Sequence, residues 1–351
     1  MQHQSERRKP RLLDIADASG VSTATVSRVL NGKPGVGEDV RGLVLAAIDR
    51  LGYERPATLR HKTSGLVGIV AAELSNPIFA AFSEQLAQRL SQRGYVSLIC
   101  TQAPGGGTED ESIDVLTGQG VSGIIFVSGL HADTTSSPER YHDLRNRGIP
   151  LAFINGWTDG VDATFVAPDD AAGMDSAVRH LASLGHTRIG LIIGPDRLTP
   201  ARRKIDAFGI ALAHYLGVGD AEPHVFCTLY TLEGGHAAAE RLIAAGHTAL
   251  ICGSDLMALG AIRAARGLGL HVPDDVSVIG YDDSALIAFV DPPLTTVHQP
   301  VGALCDAAVS SLLGEIDGNP GPRTELLFRP ELVVRASTSG APGPDRRTAT
   351  P

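Results

Sequence analysis

The chain has 351 residues, 43 % of them apolar and 20 % charged, which suits two or three folded units with ample core and leaves no apolar run of membrane-spanning length. Its net charge of −9, taken as an average, argues against a nucleic-acid binder, because polyphosphate repels an acidic surface. Cys100, Cys227, Cys252 and Cys305 lie far apart without a C-x-x-C pair, which argues against a disulfide framework or structural zinc, and the basic start MQHQSERRKPR leads into no apolar export signal, so a cytoplasmic location is expected.

The average charge conceals a division. Residues 1–65 carry eleven Lys/Arg against seven acids, and the remaining residues carry 19 against 32, the asymmetry expected of a small DNA-contacting head on a large acidic body. Within that head, LLDIADASGVSTATVSRVLNG places Ala16, Gly20 and Val26 at helix-turn-helix spacing: a small Ala for close helix approach, Gly for the tight turn, Val to pack the second helix on the first. Ser22 can cap that second helix, whose outer face offers Thr23, Ala24, Ser27 and Arg28 to a major groove, with Asn31 at its end. Arg28 can bond a guanine edge at two points, while Ser22 and Thr25 suit phosphates. A third helix is predicted in GEDVRGLVLAAIDRLGY, with Val40, Leu43, Val44, Ala47, Ile48 and Leu51 as its core face.

From Leu66 onward one unit recurs six times: a helical stretch, a Gly, then a short β-branched run. Gly94, Gly120, Gly148, Gly185, Gly246 and Gly269 suit left-handed helix caps. The strands are apolar without clean alternation, as when helices cover both faces of a parallel sheet. Some eleven candidate strands overload one twisted sheet, so the fold class is an all-α helix-turn-helix head followed by an α/β body of doubly wound parallel sheets in two lobes. Ligands of such folds sit beyond the strands' carboxyl ends, here Glu73 to Asn76, Asn155 to Trp157, Asp169 and Asp170, Ser254 and Asp255, and Asp282 and Asp283. The tail from Gly340, rich in Pro and Gly, reads as disordered.

The ordered motifs resemble the LacI family of bacterial transcriptional regulators. They are DIADASGVSTATVSRVLNG from Asp14, PGV from Pro34, LGY from Leu51, HTRIGLIIGP from His186, SDLMALGA from Ser254, VPDDVSVIGYDD from Val272 and PPLTTV from Pro292. The resemblance runs from Leu12 to about Ser337, and NPIF from Asn76, GLHADTT from Gly129 and LIAFVDPPLTT from Leu286 are similar to actinobacterial regulators of maltose and maltodextrin use. It implies a homodimeric, sometimes tetrameric, repressor of pseudo-palindromic double-stranded operator DNA, with a periplasmic-binding-protein-like body, a small carbohydrate effector between two lobes, no cofactor and no membrane. The implied organisation is a head at 1–52, a hinge at 53–64, an N-terminal lobe at 65–164 plus 297–328, a C-terminal lobe at 165–296 plus 329–340, and a tail at 341–351. Thr23 and Ala24 match the base-reading pair and Arg28 the third reader. The hinge departs from the family pattern by being shorter, and Leu59 reads either as a minor-groove wedge or as a plain linker leucine.

For the effector, the resemblance implies Arg202 as the guanidinium that grips hydroxyls or carboxylate and Asp282 as the main carboxylate, with Phe79 and Tyr230 at aromatic positions and Asn155 in place of a more usual Asp; Ser254 is added from its strand end, and Trp157, which matches no family ligand position, as the single tryptophan. Aromatic faces complement the C–H surface of a hexose. Asp282 can alternatively cap a helix, and Phe79 and Tyr230 can be core aromatics. The sequence holds no G-x-S-x-G, P-loop, H-E-x-x-H or G-x-G-x-x-G opening a helix. A sugar-binding module without DNA activity remains an alternative, as does a carbohydrate-active enzyme using Asp170 and Asp282 across a cleft.

Overall fold

The computed structural model describes residues 10–30, 35–51, 53, 65–102, 106–321 and 323–343. The chain divides into two compact units, a small N-terminal one and a large one that holds most residues from Leu66 on. Three helices build the small unit: α1 (Leu12–Ser19), α2 (Thr23–Leu30) and α3 (Glu38–Leu51). Ile15 and Ala16, Val26 and Val29, and Val44 and Ala47 form their shared core. Gly20 ends α1 at φ +70° with its N–H donating to the Ala16 carbonyl, a conformation in which a Cβ is strained. Ser22 Oγ accepts the Thr25 N–H at 3.1 Å and so caps α2. Leu43 departs from expectation: it is 57 % exposed. At 3.6 residues per turn it points about 100° away from Val44, and the stripe that meets α1 and α2 is confined to Val44 and Ala47, with Val40, Ile48 and Leu51 half-buried at its margin.

The large unit contains two six-stranded sheets. The first is built from β1 (Gly65–Ala72), β2 (Tyr95–Gln102), β3 (Gly123–Val127), β4 (Leu151–Ile154), β5 (Thr164–Pro168) and β11 (Glu325–Phe328), in the order β2-β1-β3-β4-β5-β11. The second is built from β6 (Ile189–Ile193), β7 (Val225–Cys227), β8 (Ala249–Cys252), β9 (Ser277–Asp282), β10 (Thr295–His298) and β12 (Glu331–Val333), in the order β7-β6-β8-β9-β10-β12. Pairing is parallel from β1 through β3, β4 and β5 to β11, and from β7 through β6, β8 and β9 to β10, while β12 joins antiparallel at an edge.

Period-two alternation explains the continuous apolar runs. In the second sheet Leu191 and Ile193 face a core with α7 (Asp170–Ser183) and α8 (Thr199–Leu216), whereas Ile192, Leu250 and Cys252 face one with α9 (Leu232–Ala244) and α10 (Asp255–Gly267). Both faces of β6 and β8 are dry, so their positions are apolar throughout. All six repeat glycines take positive φ, from +69° at Gly120 to +88° at Gly246, as their place after each helix requires.

The chain passes between the sheets three times: after β5, after β10 and between β11 and β12. The first passage follows Pro168 instead of residue 164, and the second follows His298 instead of 296, because β5 and β10 each complete their ladder before leaving the sheet. The C-terminal segment also stays bound further than expected, with the Ala341 N–H donating to the Leu184 carbonyl at 2.9 Å. Residues 344–351 lie outside the described residues, as do Asn31 and Leu59. Among the described residues no helix is long and apolar enough to cross a membrane.

Helices α9 and α10 meet through glycine. A Cβ on Gly260 would lie 2.1 Å from the Leu232 carbonyl oxygen, and one on Gly235 would lie 2.2 Å from that of Met257. Gly260→Ala is therefore expected to cost roughly 3 kcal/mol by forcing the helix pair apart. Gly267→Ala, with nothing within 4 Å of the new Cβ, is the control and should leave thermal unfolding near that of the parent.

Candidate ligand cavity and nucleic-acid face

The carboxyl ends of strands from both sheets open on one cavity of about 420 Å³, a size suited to a small organic ligand. Glu73 follows β1, Ser128 follows β3, Asn155 follows β4, Ser254 follows β8 and Asp282 ends β9, and all five line it. Ser128, Asn155 and Asp282 have φ of 51°, 62° and 114°, strained values for residues with a Cβ, held where strand ends turn their side chains toward the cavity. Asn155 Nδ2 donates to Ser128 Oγ at 2.7 Å. Phe79 near the start of α4 (Pro77–Gln92) and Tyr230 supply aromatic surface. Tyr230 lies flat over Gly194, where a Cβ would come within 1.9 Å of its ring, and burial pushes its phenol upward, so it stays neutral.

Five of the seven expected effector residues thus meet in the cavity: Phe79, Asn155, Tyr230, Ser254 and Asp282. Arg202 and Trp157 do not. The Arg202 side chain is 61 % exposed, with Asp206 at 3.8 Å and Asp196 at 4.0 Å. Helix α8 instead sends Lys204, two positions on, to the cavity lining. Helix α8 buries Ala201, Lys204, Ala207, Phe208, Ala211 and Leu212; a two-residue step turns a side chain about 200°, so Arg202 falls on the opposite face. The apolar phase of the helix was the signal that could have found Lys204. Trp157 packs its ring on Phe165, centroids 4.6 Å apart, and donates Nε1–H to Asp159 at 2.8 Å, so it completes the core of the first lobe.

Lys204 Nζ stands 2.5 Å from Asp170 Oδ1 and 4.3 Å from the Tyr281 ring centroid, and Tyr281 donates its hydroxyl to the same carboxylate. Asp170 is spent on these contacts, which removes it as a partner of Asp282 in general acid chemistry. Asp282 accepts from Gln299 Nε2 at 2.7 Å. Burial and the nearby charge of Asp255 push the Asp282 carboxyl well above the usual range, against the pull of Gln299 and Lys204. Asp255 is itself raised, to about 6, chiefly by burial, although the Ser284 N–H and the Thr296 hydroxyl donate to it. Gln299 Oε1 is buried with no partner. Sequence reasoning missed Gln299 because, although it directly follows β10, it belongs to no motif that marks a ligand.

One wall of the cavity is a clasp between the lobes. Asp133 and Leu198 form an antiparallel bridge. Thr134 donates its N–H and its hydroxyl to the Arg197 carbonyl at 2.9 and 2.8 Å, and Arg197 Nε donates to Asp133 Oδ2 at 2.8 Å. The loop bearing Asp133 is held from beneath: buried Glu109 accepts from the Leu130 N–H, Gln102 and the Tyr141 hydroxyl. His131, fully buried, shares Nε2 with the Ile154 carbonyl at 3.2 Å. Burial holds its imidazole down at about 4, against an ordinary 6.5.

In the small unit, α2 turns Thr23, Ala24 and Arg28 to solvent, with Ser22 exposed at its start and Thr25 and Ser27 half-buried. Ser22 and Thr25 share a hydroxyl hydrogen bond at 2.9 Å. This is a short, polar, small-residue helix face of the kind a major groove admits.

Residues 11–56 match the family described as bacterial regulatory proteins of the lacI family, and residues 178–338 match the periplasmic binding protein-like domain. The HTH-type transcriptional regulator MalR of Streptomyces coelicolor is 56 % identical over 336 residues, covering 95 % of this chain and 98 % of MalR. Among solved structures, the transcriptional regulator CelR in complex with cellobiose is 31 % identical with a TM-score of 0.70, over 94 % of this chain and 100 % of that one. The lac repressor dimer bound to operator and the anti-inducer ONPF is 27 % identical with a TM-score of 0.67, over 95 % and 100 %.

The depressed His131 sets an acid limit. The folded state binds this proton less readily than the unfolded state, so the stability that neutral His131 preserves is present above about pH 6.5 and is lost as pH falls from there toward 4. The loss is expected to approach about 3 kcal/mol. Melting followed over that window should show a shallower pH slope in His131→Gln than in the parent, whatever its stability at pH 7.

Proposed function

The chain belongs to the LacI family and is a DNA-binding transcriptional regulator, and from its cavity we propose that it is a repressor whose hold on operator DNA is set by a small saccharide of the maltose type. The observation that carries this reading is the meeting of aromatic faces, Phe79 and Tyr230, with a ring of oxygen acceptors, Asp282, Gln299 and Asn155, between two lobes. Such a lining matches a ligand with C–H faces and many hydroxyl donors. The names of MalR and of the CelR–cellobiose complex agree with a disaccharide ligand.

In this mechanism two copies pair, and their heads occupy successive major-groove half-sites of a pseudo-palindrome; the similar lac repressor is a dimer bound to operator. Thr23, Ala24 and Arg28 read bases, and Ser22, Thr25 and Ser27 position the helix on phosphates. Saccharide in the cavity favours one arrangement of the lobes, and the clasp of Asp133, Thr134 and Arg197 is the contact that such closure makes or breaks. Release of operator on saccharide binding requires, by linkage, that operator weaken saccharide binding by the same factor.

Duplexes selected from a random pool by the intact protein provide the operator for the test. Arg28→Ala should then cost about 1 to 3 kcal/mol and relax preference at one base pair, measured by anisotropy against single-base variants. Maltose titrated into the complex should lower operator affinity. In calorimetry Asp282→Asn and Gln299→Ala should weaken maltose at least tenfold, at roughly 1.4 kcal/mol per tenfold, while Arg202→Ala leaves it as in the parent. Failure of any saccharide to alter operator binding would refute the regulatory reading.

A further inference from the structure

We propose that the cavity takes an uncharged, hydroxyl-rich ligand and rejects its phosphorylated form, an inference that rests on the saccharide reading above. Among the described residues the cavity is lined by two cations, Lys204 and Arg197, and each is ion-paired with a carboxylate. Lys204 is held by Asp170 at 2.5 Å, with side chains 5 % and 2 % exposed, and Arg197 is held by Asp133 at 2.8 Å. Glu73 and Asp282 line the same cavity, and neither has a basic side chain at ion-pair distance among the described residues. The balance facing a ligand is therefore negative, whichever proton state Asp282 adopts.

Helix N-termini are the other source of anion affinity, because their first N–H groups lack partners. Here those that open on the cavity each have one of their first N–H groups capped or replaced by proline. Thr231 Oγ1 accepts from Gly234 N at 3.0 Å at the start of α9, and Ser254 Oγ accepts from Met257 N at 3.3 Å at the start of α10. Helices α4 and α8 carry Pro77 and Pro200 in their first turns, and proline has no N–H to offer. What remains open is the opposite chemistry: Gln299, its Nε2 committed to Asp282, keeps Oε1 buried and without a partner. A hydroxyl fills that need by donating. A phosphate dianion brings acceptors to acceptors and charge to like charge.

The test is calorimetry on the full-length protein near neutral pH with maltose and cellobiose, each beside its own 6′-phosphate. At least one free disaccharide should bind, and its phosphate should bind on the order of 100-fold more weakly. In Glu73→Gln that ratio should narrow about tenfold; reading a ratio cancels any general loss of affinity in the variant. A phosphorylated disaccharide that binds as well as or better than the free one overturns the inference and leaves the saccharide reading standing, as does a ratio unmoved by Glu73→Gln. Binding of none of the four overturns the saccharide reading and this inference with it.

Discussion

A charge removed from water must find a partner, and this constraint organises the cleft. Parallel strands send their carboxyl ends, and the polar residues that follow them, to the same side of each sheet. Asp170, Asp255 and Asp282 consequently gather in a small dry volume. Each is answered differently: Asp170 by Lys204 and Tyr281, Asp255 by the Ser284 N–H and Thr296, and Asp282 by Gln299. Asp282 has a single side-chain donor, and burial together with the nearby charge of Asp255 holds its carboxyl well above the usual range. The site is thus built with an acceptor that hydrogen-bond donors from a ligand would complete.

The same logic separates structural from ligand-facing polar groups. Glu109 is buried, but three donors satisfy it, and it serves to hold the loop that carries Asp133. His186 is buried too, and its ring bonds Thr248, Ser277 and the Ser339 carbonyl, tying the C-terminal segment to the second sheet. His247 donates Nδ1–H to the Leu242 carbonyl near the end of α9 and pairs with His224. Histidines that follow a helix-ending glycine are placed to do this, since the chain has just reversed beneath the last carbonyls. Gln299 differs from all of these in having an atom left over.

Charge distribution along the chain has a parallel role at larger scale. A head with excess Lys/Arg is attached to a strongly acidic body, so long-range attraction to a polyanion is confined to one end of the polypeptide. Phosphate contacts made by such a head supply affinity that falls with salt, and a few side chains on one short helix supply the choice of sequence.

The helix-turn-helix, the six helix–glycine–strand repeats and the two-lobed α/β class were all legible in the linear sequence, because each depends on local rules. Gly20 must take positive φ, Ser22 must cap, and strands dry on both faces, such as β6 and β8, carry continuous apolar runs. Glu73, Asn155, Ser254 and Asp282 were legible as well, because they follow or end strands, whereas Phe79 and Tyr230 were legible only through the family resemblance. Arg202, Trp157 and Leu43 show where that reading stops. Each lies within one or two residues of a position that is buried or faces the cavity, and a step of one or two residues on a helix or past a strand end reverses the side chain. Helical phase against a distant sheet, and the meeting of Lys204 with Asp170 or of Gln299 with Asp282, depend on how remote segments pack, and no local pattern encodes that choice.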